Sequence, residues 1–263
     1  MRFTRQTIAA TAVALVALIA ALPAYSIDGR EIAENVINRD TGETGHSLID
    51  MDLIDAQDNV KNRIIEEWSM ENDAGLERLV IVFHRPASVQ GTRFLVVENE
   101  DRDDDQWIYL PALDRVRRIA ASEGDESFMG TDFTYDDLAT RDVDEDTHEL
   151  LREDTFAGRE VYVVESVPKD PDDSQYSRRV QWVAKDIWVP LKAEFYDKSD
   201  ELLKTLTVEE LEEVQGIWTP MVSVMENVQS EHATRLEVEK TRYNEDLNAD
   251  LFSRNFLRTG RAR

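Results

Sequence analysis

The chain has 263 residues, no cysteine, and 55 acidic against 30 basic side chains, a net charge of −25. Disulfides and thiolate metal centres are excluded, and a surface this negative repels phosphate backbones, so nucleic acid is a poor partner. Burial and hydrogen bonding alone must stabilise the fold.

Arg2 and Arg5 precede an apolar run over residues 8–22, and Ala24-x-Ser26 then supplies small residues. This is the pattern of a secretory signal peptide over residues 1–26, cleaved near Ser26, that delivers the protein to the periplasm. The run falls short of the roughly twenty residues needed to span a bilayer. Without Arg2 and Arg5 the remainder carries 28 basic and 55 acidic side chains, a net charge of −27. Residues 27–263 read as a single domain.

Asp28-Gly-Arg-Glu31 reads as a capping box opening a helix that Gly42 can stop. Ile32, Ala33, Val36 and Ile37 form its apolar stripe, suited to lie on a sheet. From Ser47 onward, runs rich in Val, Ile, Leu, Tyr, Trp and Thr alternate with Gly, Pro, Asn and Asp clusters. The expected antiparallel strands are 47–53, 62–70, 76–84, 92–99, 106–111, 115–120, 159–167, 178–184, 189–196, 202–211, 219–228 and 234–241. Those at 79–83, 94–97 and 107–110 are apolar on both faces and require a second layer, for which the first helix and an insert at 121–146 are the candidates. Short helices are expected near 135–140, capped by Thr134 or Asp132, and near 247–254.

No nucleophile elbow, phosphate-binding glycine loop or dinucleotide fingerprint is present. His148-Glu149-Leu-Leu-Arg152 starts like a zinc-protease helix but has Arg152 where the second histidine belongs. His46, His84, His148 and His232 stand singly. Asp142-x-Asp144-x-Asp146 with Glu153 at the twelfth position has calcium-loop spacing, but Thr147 replaces the glycine of the sharp turn. Asp101-x-Asp103-x-Asp105 reads as a charged hairpin tip. The expectation is therefore no enzyme, no cofactor and no metal. Trp107, Tyr109, Phe128, Met129, Phe133, Tyr135, Trp182, Met221 and Met225 remain, and either line a pocket for acyl chains or fill a closed core.

Residues 107–119, WIYLPALDRVRRI, followed by 127–138, SFMGTDFTYDDL, resemble the family of outer-membrane lipoprotein-sorting-like periplasmic proteins. Phe83-x-x-Pro86, Gly91-x-x-Phe94-Leu95 and Trp218-Thr-Pro220 extend the likeness over most of the mature chain. The resemblance implies a mainly β fold: a strongly curved antiparallel sheet, or incomplete β-barrel, with short helices covering an apolar concave face. Phe128, Met129, Phe133 and Tyr135 would then be lid or cavity residues. Arg115, Arg117 and Arg118 would meet a ligand head group or pair with acids such as Asp132. The implied function is non-catalytic carriage of a lipid or acylated protein toward the outer membrane, with an inner-membrane exporter of the resistance-nodulation-division type as a further partner. The alternatives are an exporter-associated envelope scaffold with a self-filled barrel, and an enzyme acting on envelope lipids or glycans.

Overall fold

The computed structural model describes residues 27–262; the expected signal peptide lies outside them. Helix α1 (Gly29–Ile37) starts where expected, the Asp28 side chain accepting from the Glu31 amide at 2.8 Å, but ends at Asn38 rather than at Gly42. Six strands follow: β1 (Thr44–Ile54), β2 (Val60–Glu71), β3 (Glu77–Arg85), β4 (Arg93–Val97), β5 (Asp105–Leu110) and β6 (Arg115–Arg118). Residues 121–145 then lead to β7 (Asp146–Phe156), β8 (Arg159–Pro168), β9 (Arg178–Ala184), β10 (Pro190–Tyr196), β11 (Leu202–Val214), β12 (Ile217–Asn227) and β13 (His232–Tyr243). Helix α2 (Arg254–Thr259) is preceded by a 3-10 turn, Ala249–Phe252. Among the described residues no helix is long and apolar enough to cross a membrane.

All thirteen strands form one antiparallel sheet in the order β6-β5-β4-β3-β2-β1-β13-β12-β11-β10-β9-β8-β7. Two meanders, β1 to β6 and β7 to β13, meet at the β1–β13 seam. The end strands β6 and β7 do not pair, so the sheet is not a closed barrel. They are consecutive in the chain, and the 121–145 connection crosses from one side of the sheet to the other, on a single face.

That crossing requires curvature. Tyr135 packs on Phe94 of β4 with ring centroids 5.8 Å apart, and Asp137 binds Lys204 of β11 at 2.9 Å. Six inter-strand spacings separate β4 from β11, roughly 29 Å in a flat sheet. Two residues of chain span at most about 7 Å. Side chains stand off a sheet rather than along it, so only a sheet rolled around the insert brings both partners within reach.

The doubly apolar strands are covered on both sides, as expected, but not by α1. Ile81, Phe83, Phe94 and Ile108 face the insert. Val80, Val82, Leu95 and Tyr109 face Phe252, Phe256 and Leu257 of the C-terminal segment. Helix α1 lies at the other end of the sheet, where Ile32 meets Val164 and Val183. The expected helix near 135–140 is only a 3-10 turn, Asp136–Leu138, and the C-terminal helix begins at Arg254 rather than near Leu247.

Strand β7 is absent from the expected elements. Its sequence, DTHELLREDTF, is charged because it is an end strand whose outer edge must discourage further pairing. The calcium-like spacing runs through it: Asp142 caps a 3-10 turn, Asp144 pairs with Arg30 at 2.7 Å, and buried Asp146 is clasped by Arg141 and Arg179. Burial pushes the Asp146 carboxyl up, but the two guanidiniums outweigh it and hold the group below its ordinary range. Among the described residues no histidine and carboxylate group is arranged to hold a metal.

Two predictions follow from this packing. A Cβ on Gly29 would come within 2.7 Å of the Glu149 backbone nitrogen in β7, so Gly29→Ala should lower stability by roughly 1–3 kcal/mol in urea denaturation. In β2, burial first and Glu77 second push the Glu67 carboxyl up to about 7. The folded state binds this proton more tightly than the unfolded chain does, so stability should rise as pH falls from 8 through 7 toward 5. The melting temperature should follow that trend, and Glu67→Gln should flatten it.

Candidate functional site

The insert begins at edge strand β6, where Arg117 donates to both carboxylate oxygens of Glu123 at 2.7 and 2.9 Å, and Glu123 also accepts from the Ala120 amide at 2.8 Å. Ser127 and Thr134 form a short antiparallel bridge, and the Thr131 amide donates to the Phe128 carbonyl at 3.0 Å across the turn. Both central residues have positive φ, Met129 at 54° and Gly130 at 77°. Gly130 adopts this without cost, whereas Met129 costs about 1–2 kcal/mol. The turn swings Phe128 inward against Phe94 (4.8 Å), Phe83 (5.8 Å) and Tyr135 (5.9 Å). Phe128 is only 2% exposed.

Beyond this aromatic cluster, polar side chains fasten the insert to the other meander. Lys204 donates to Asp137 at 2.9 Å and to the Tyr176 hydroxyl at 2.8 Å, and that hydroxyl donates to the other Asp137 oxygen at 2.7 Å. Burial, then Asp137, hold the phenol far above its usual range, so it stays a donor. Nearby, the Asp132 amide donates to the Thr234 hydroxyl at 2.9 Å, while the Asp132 carboxylate accepts from that hydroxyl and lies 2.7 Å from His232 Nδ1. Gln106 donates to the Tyr135 carbonyl at 2.9 Å, but its own buried Oε1 has no partner, a cost of roughly 1–3 kcal/mol under the insert. Arg63 donates to the Met129 carbonyl at 2.8 Å.

The residues singled out in the sequence divide between two faces. Phe128, Met129 and Tyr135 belong to the insert cluster. Phe133 is half-buried, its carbonyl accepting from the Phe128 amide. Met225 is buried opposite Leu206 and Thr234, and Met221 is half-buried at a register irregularity of β12, between Pro220 opposite Leu211 and Val222 opposite Glu210. Trp107 and Tyr109 point to the opposite side, under the C-terminal segment. Trp182 also lies away from the insert, packed with Val161 and Val163 and flanked by Lys192 and Arg152. The nine side chains do not form one lining.

The arginine motif is likewise split. Arg117 serves Glu123, and Arg118 pairs with Asp105 at 2.5 Å. Arg115 borders an open groove of about 730 Å³ with Trp107, Arg254 and Arg258. Asp132 pairs with His232 rather than with any of these arginines.

Sequence reasoning missed Lys204, Tyr176, Thr234 and Arg63. Lys204 had a signal: it occupies the inward phase of 204, 206, 208, where Leu206 and Val208 follow, and a charge in that phase needs a buried partner. Thr234 similarly precedes Leu236 and Val238 in phase. Tyr176, in a loop, had none.

Residues 75–259 match a family model described only as an uncharacterized protein. No curated protein matches the chain. A domain from Vibrio parahaemolyticus assigned as an outer membrane lipoprotein-sorting protein is 34% identical, with a TM-score of 0.82 over 88% of this chain and 98% of its own. A DUF1329 family protein from Desulfovibrio piger is 35% identical at a TM-score of 0.82, covering 87% of this chain and 97% of its own. A LolA superfamily protein from Nitrosomonas europaea, 20% identical, has the same fold at a TM-score of 0.68 over 88% of this chain and all of its own.

Removing the ammonium of Lys204 strands Asp137 in a dry setting. Lys204→Met should therefore cost about 3–5 kcal/mol in chemical denaturation, and adding Asp137→Leu should recover most of that loss.

Proposed function

The chain belongs to the family of outer membrane lipoprotein-sorting-like and DUF1329 proteins, and on that premise we propose that it is a non-catalytic periplasmic carrier of an acylated ligand, a lipid or lipoprotein. The acyl chain enters between the insert and the rolled sheet, and transfer proceeds toward the outer membrane. The observation that carries this reading is the insert itself: an aromatic plug of Phe128 and Tyr135 on Phe83 and Phe94, held by a few polar contacts. The Gln106 oxygen without a protein partner and Met129 at positive φ lie in the same interface.

Magnitudes favour exchange. Exposing Phe128 and Tyr135 costs roughly 1.5–3 kcal/mol each. An acyl chain brings about 0.8 kcal/mol per buried methylene, so a dozen methylenes bring roughly 10 kcal/mol. A ligand can displace the plug and still bind. An apolar surface of this kind selects by volume rather than by pattern of hydrogen bonds.

One observation favours a second reading: the insert space is occupied by the protein's own side chains, as in an envelope scaffold with a self-filled sheet. Native mass spectrometry with lipid extraction, on mature protein purified from its own periplasm, separates the two. The carrier should retain a reproducible lipid or acylated peptide and lose it when Phe128 and Phe133 are changed to Asp in a folded variant. A clean ligand-free mass, with no binding of acyl probes by the intact protein, would replace the carrier with the scaffold.

A further inference from the structure

Beside the tip of the insert lies a second, smaller space of about 190 Å³, bordered by Leu53, Asp55, Asn59, Lys61, Arg63, Gly130 and His232. Lys61 and Arg63 project on the insert side of β2, opposite Leu53 and Met51, whose side chains belong to the buried core beneath the insert. The space therefore sits where the aromatic interface meets solvent, with apolar Leu53 at its floor and cations on its wall.

The charges there are unusual for this protein. The full chain has 55 acidic side chains, yet among the described residues neither Lys61 nor Arg63 has a carboxylate within ion-pair distance; Asp55 interacts with Lys61 only at longer range. The one hydrogen bond of the Arg63 side chain goes to the Met129 carbonyl, and its guanidinium lies over the Phe83 ring at 5.9 Å. Burial lowers its proton affinity with no carboxylate to restore it. Asp55, the acid on this wall, is occupied by its own turn, accepting from the Gln57 and Asn59 amides at 3.0 Å and from the Asn59 side chain. His232 is turned to Asp132. A half-buried guanidinium with donors to spare, beside an ammonium that no carboxylate contacts directly, is the arrangement that binds phosphate or carboxylate oxygens.

We infer that the pocket formed by Lys61, Arg63 and the Gly130 tip receives the anionic head group of an amphiphile whose acyl chain lies under the insert. This rests on the carrier reading and sharpens it: the preferred cargo carries a phosphate or carboxylate close to its chain. The assignment differs from the one implied by the arginine motif, since Arg117 and Arg118 are engaged by Glu123 and Asp105.

The test compares two ligands with the same chain. Dodecyl phosphate and dodecyl maltoside are titrated below their critical micelle concentrations into the mature protein by calorimetry, with inorganic phosphate as a third titrant. The phosphate amphiphile should bind about tenfold more tightly than the maltoside, and inorganic phosphate should bind far more weakly than either. Lys61→Met, at an exposed position whose nearby acid, Asp55, stays solvated and held by its own turn, should lower dodecyl phosphate affinity severalfold and leave the maltoside unchanged. Arg63→Met should erase the preference, its folding checked by circular dichroism. Equal affinity for the two amphiphiles in the unaltered protein would overturn the head-group site while leaving the carrier in place. Phosphate alone binding as tightly as dodecyl phosphate would also overturn it, because the chain would then contribute nothing. Failure of both amphiphiles to bind would remove the carrier reading and this inference together.

Discussion

Every large feature of this molecule answers to the demand that one connection satisfy both halves of a thirteen-stranded sheet. The aromatic rings of the insert settle on β3 and β4, and two residues past Tyr135 the carboxylate of Asp137 must find the ammonium of Lys204 on β11. A buried ion pair adds little net stability over well-packed apolar side chains, because desolvation offsets most of the attraction. Its geometry is nevertheless strict. Lys204, Tyr176 and Asp137 close a three-membered ring of short hydrogen bonds that ties the insert, two residues past Tyr135, to β11.

The two faces of the sheet differ in how most of their aromatic residues are covered. On the insert side, the rings of Phe83, Phe94, Phe128 and Tyr135 pack chiefly on one another, with Arg63 over Phe83 and Lys204 over Tyr176 at the margins. On the other side, aromatic faces are met by cations: Arg254 over Trp107, Lys192 over Trp182, Arg159 over Trp218 and Arg178 over Tyr196. Such contacts let a large ring remain half-exposed, and they use up part of the small stock of basic side chains. An aromatic count along the sequence therefore overstates the apolar interior available to a ligand.

Strand alternation and turn residues made twelve of the thirteen strands legible, along with the Asp28 cap and the two-sided character of β3 to β5. What escaped were features without a local signature. Strand β7 hides its period under the charges that protect an edge, and a bulge between Leu150 and Arg152 breaks its phase. The cover over Val80 and Leu95 comes from residues 252–257, far away in sequence, so periodicity could not distinguish it from α1. For the candidate site, Phe128, Met129, Tyr135 and Met225 were legible as apolar residues of the inward face. Trp107 and Tyr109 were grouped with them because a strand apolar on both sides gives no sign of which side a given ring takes. The arginines of 115–118 could be read as a cluster, whereas in a strand neighbours point to opposite faces.

The seam between β1 and β13 has a consequence for how the protein comes into being. Residues 44–54 pair with residues 232–243, so the first strand made waits for the last. During synthesis the β1–β6 meander can form hairpin by hairpin, but the outer backbone edge of β1, eleven residues long, has nothing to pair with until the chain is nearly complete. An open edge of that length is a template for a neighbouring chain. The growing polypeptide is therefore most exposed to self-association in the interval before its thirteenth strand arrives, and whatever holds the nascent chain has that long edge to cover, besides the short outer edge of β6 that stays unpaired in the finished sheet.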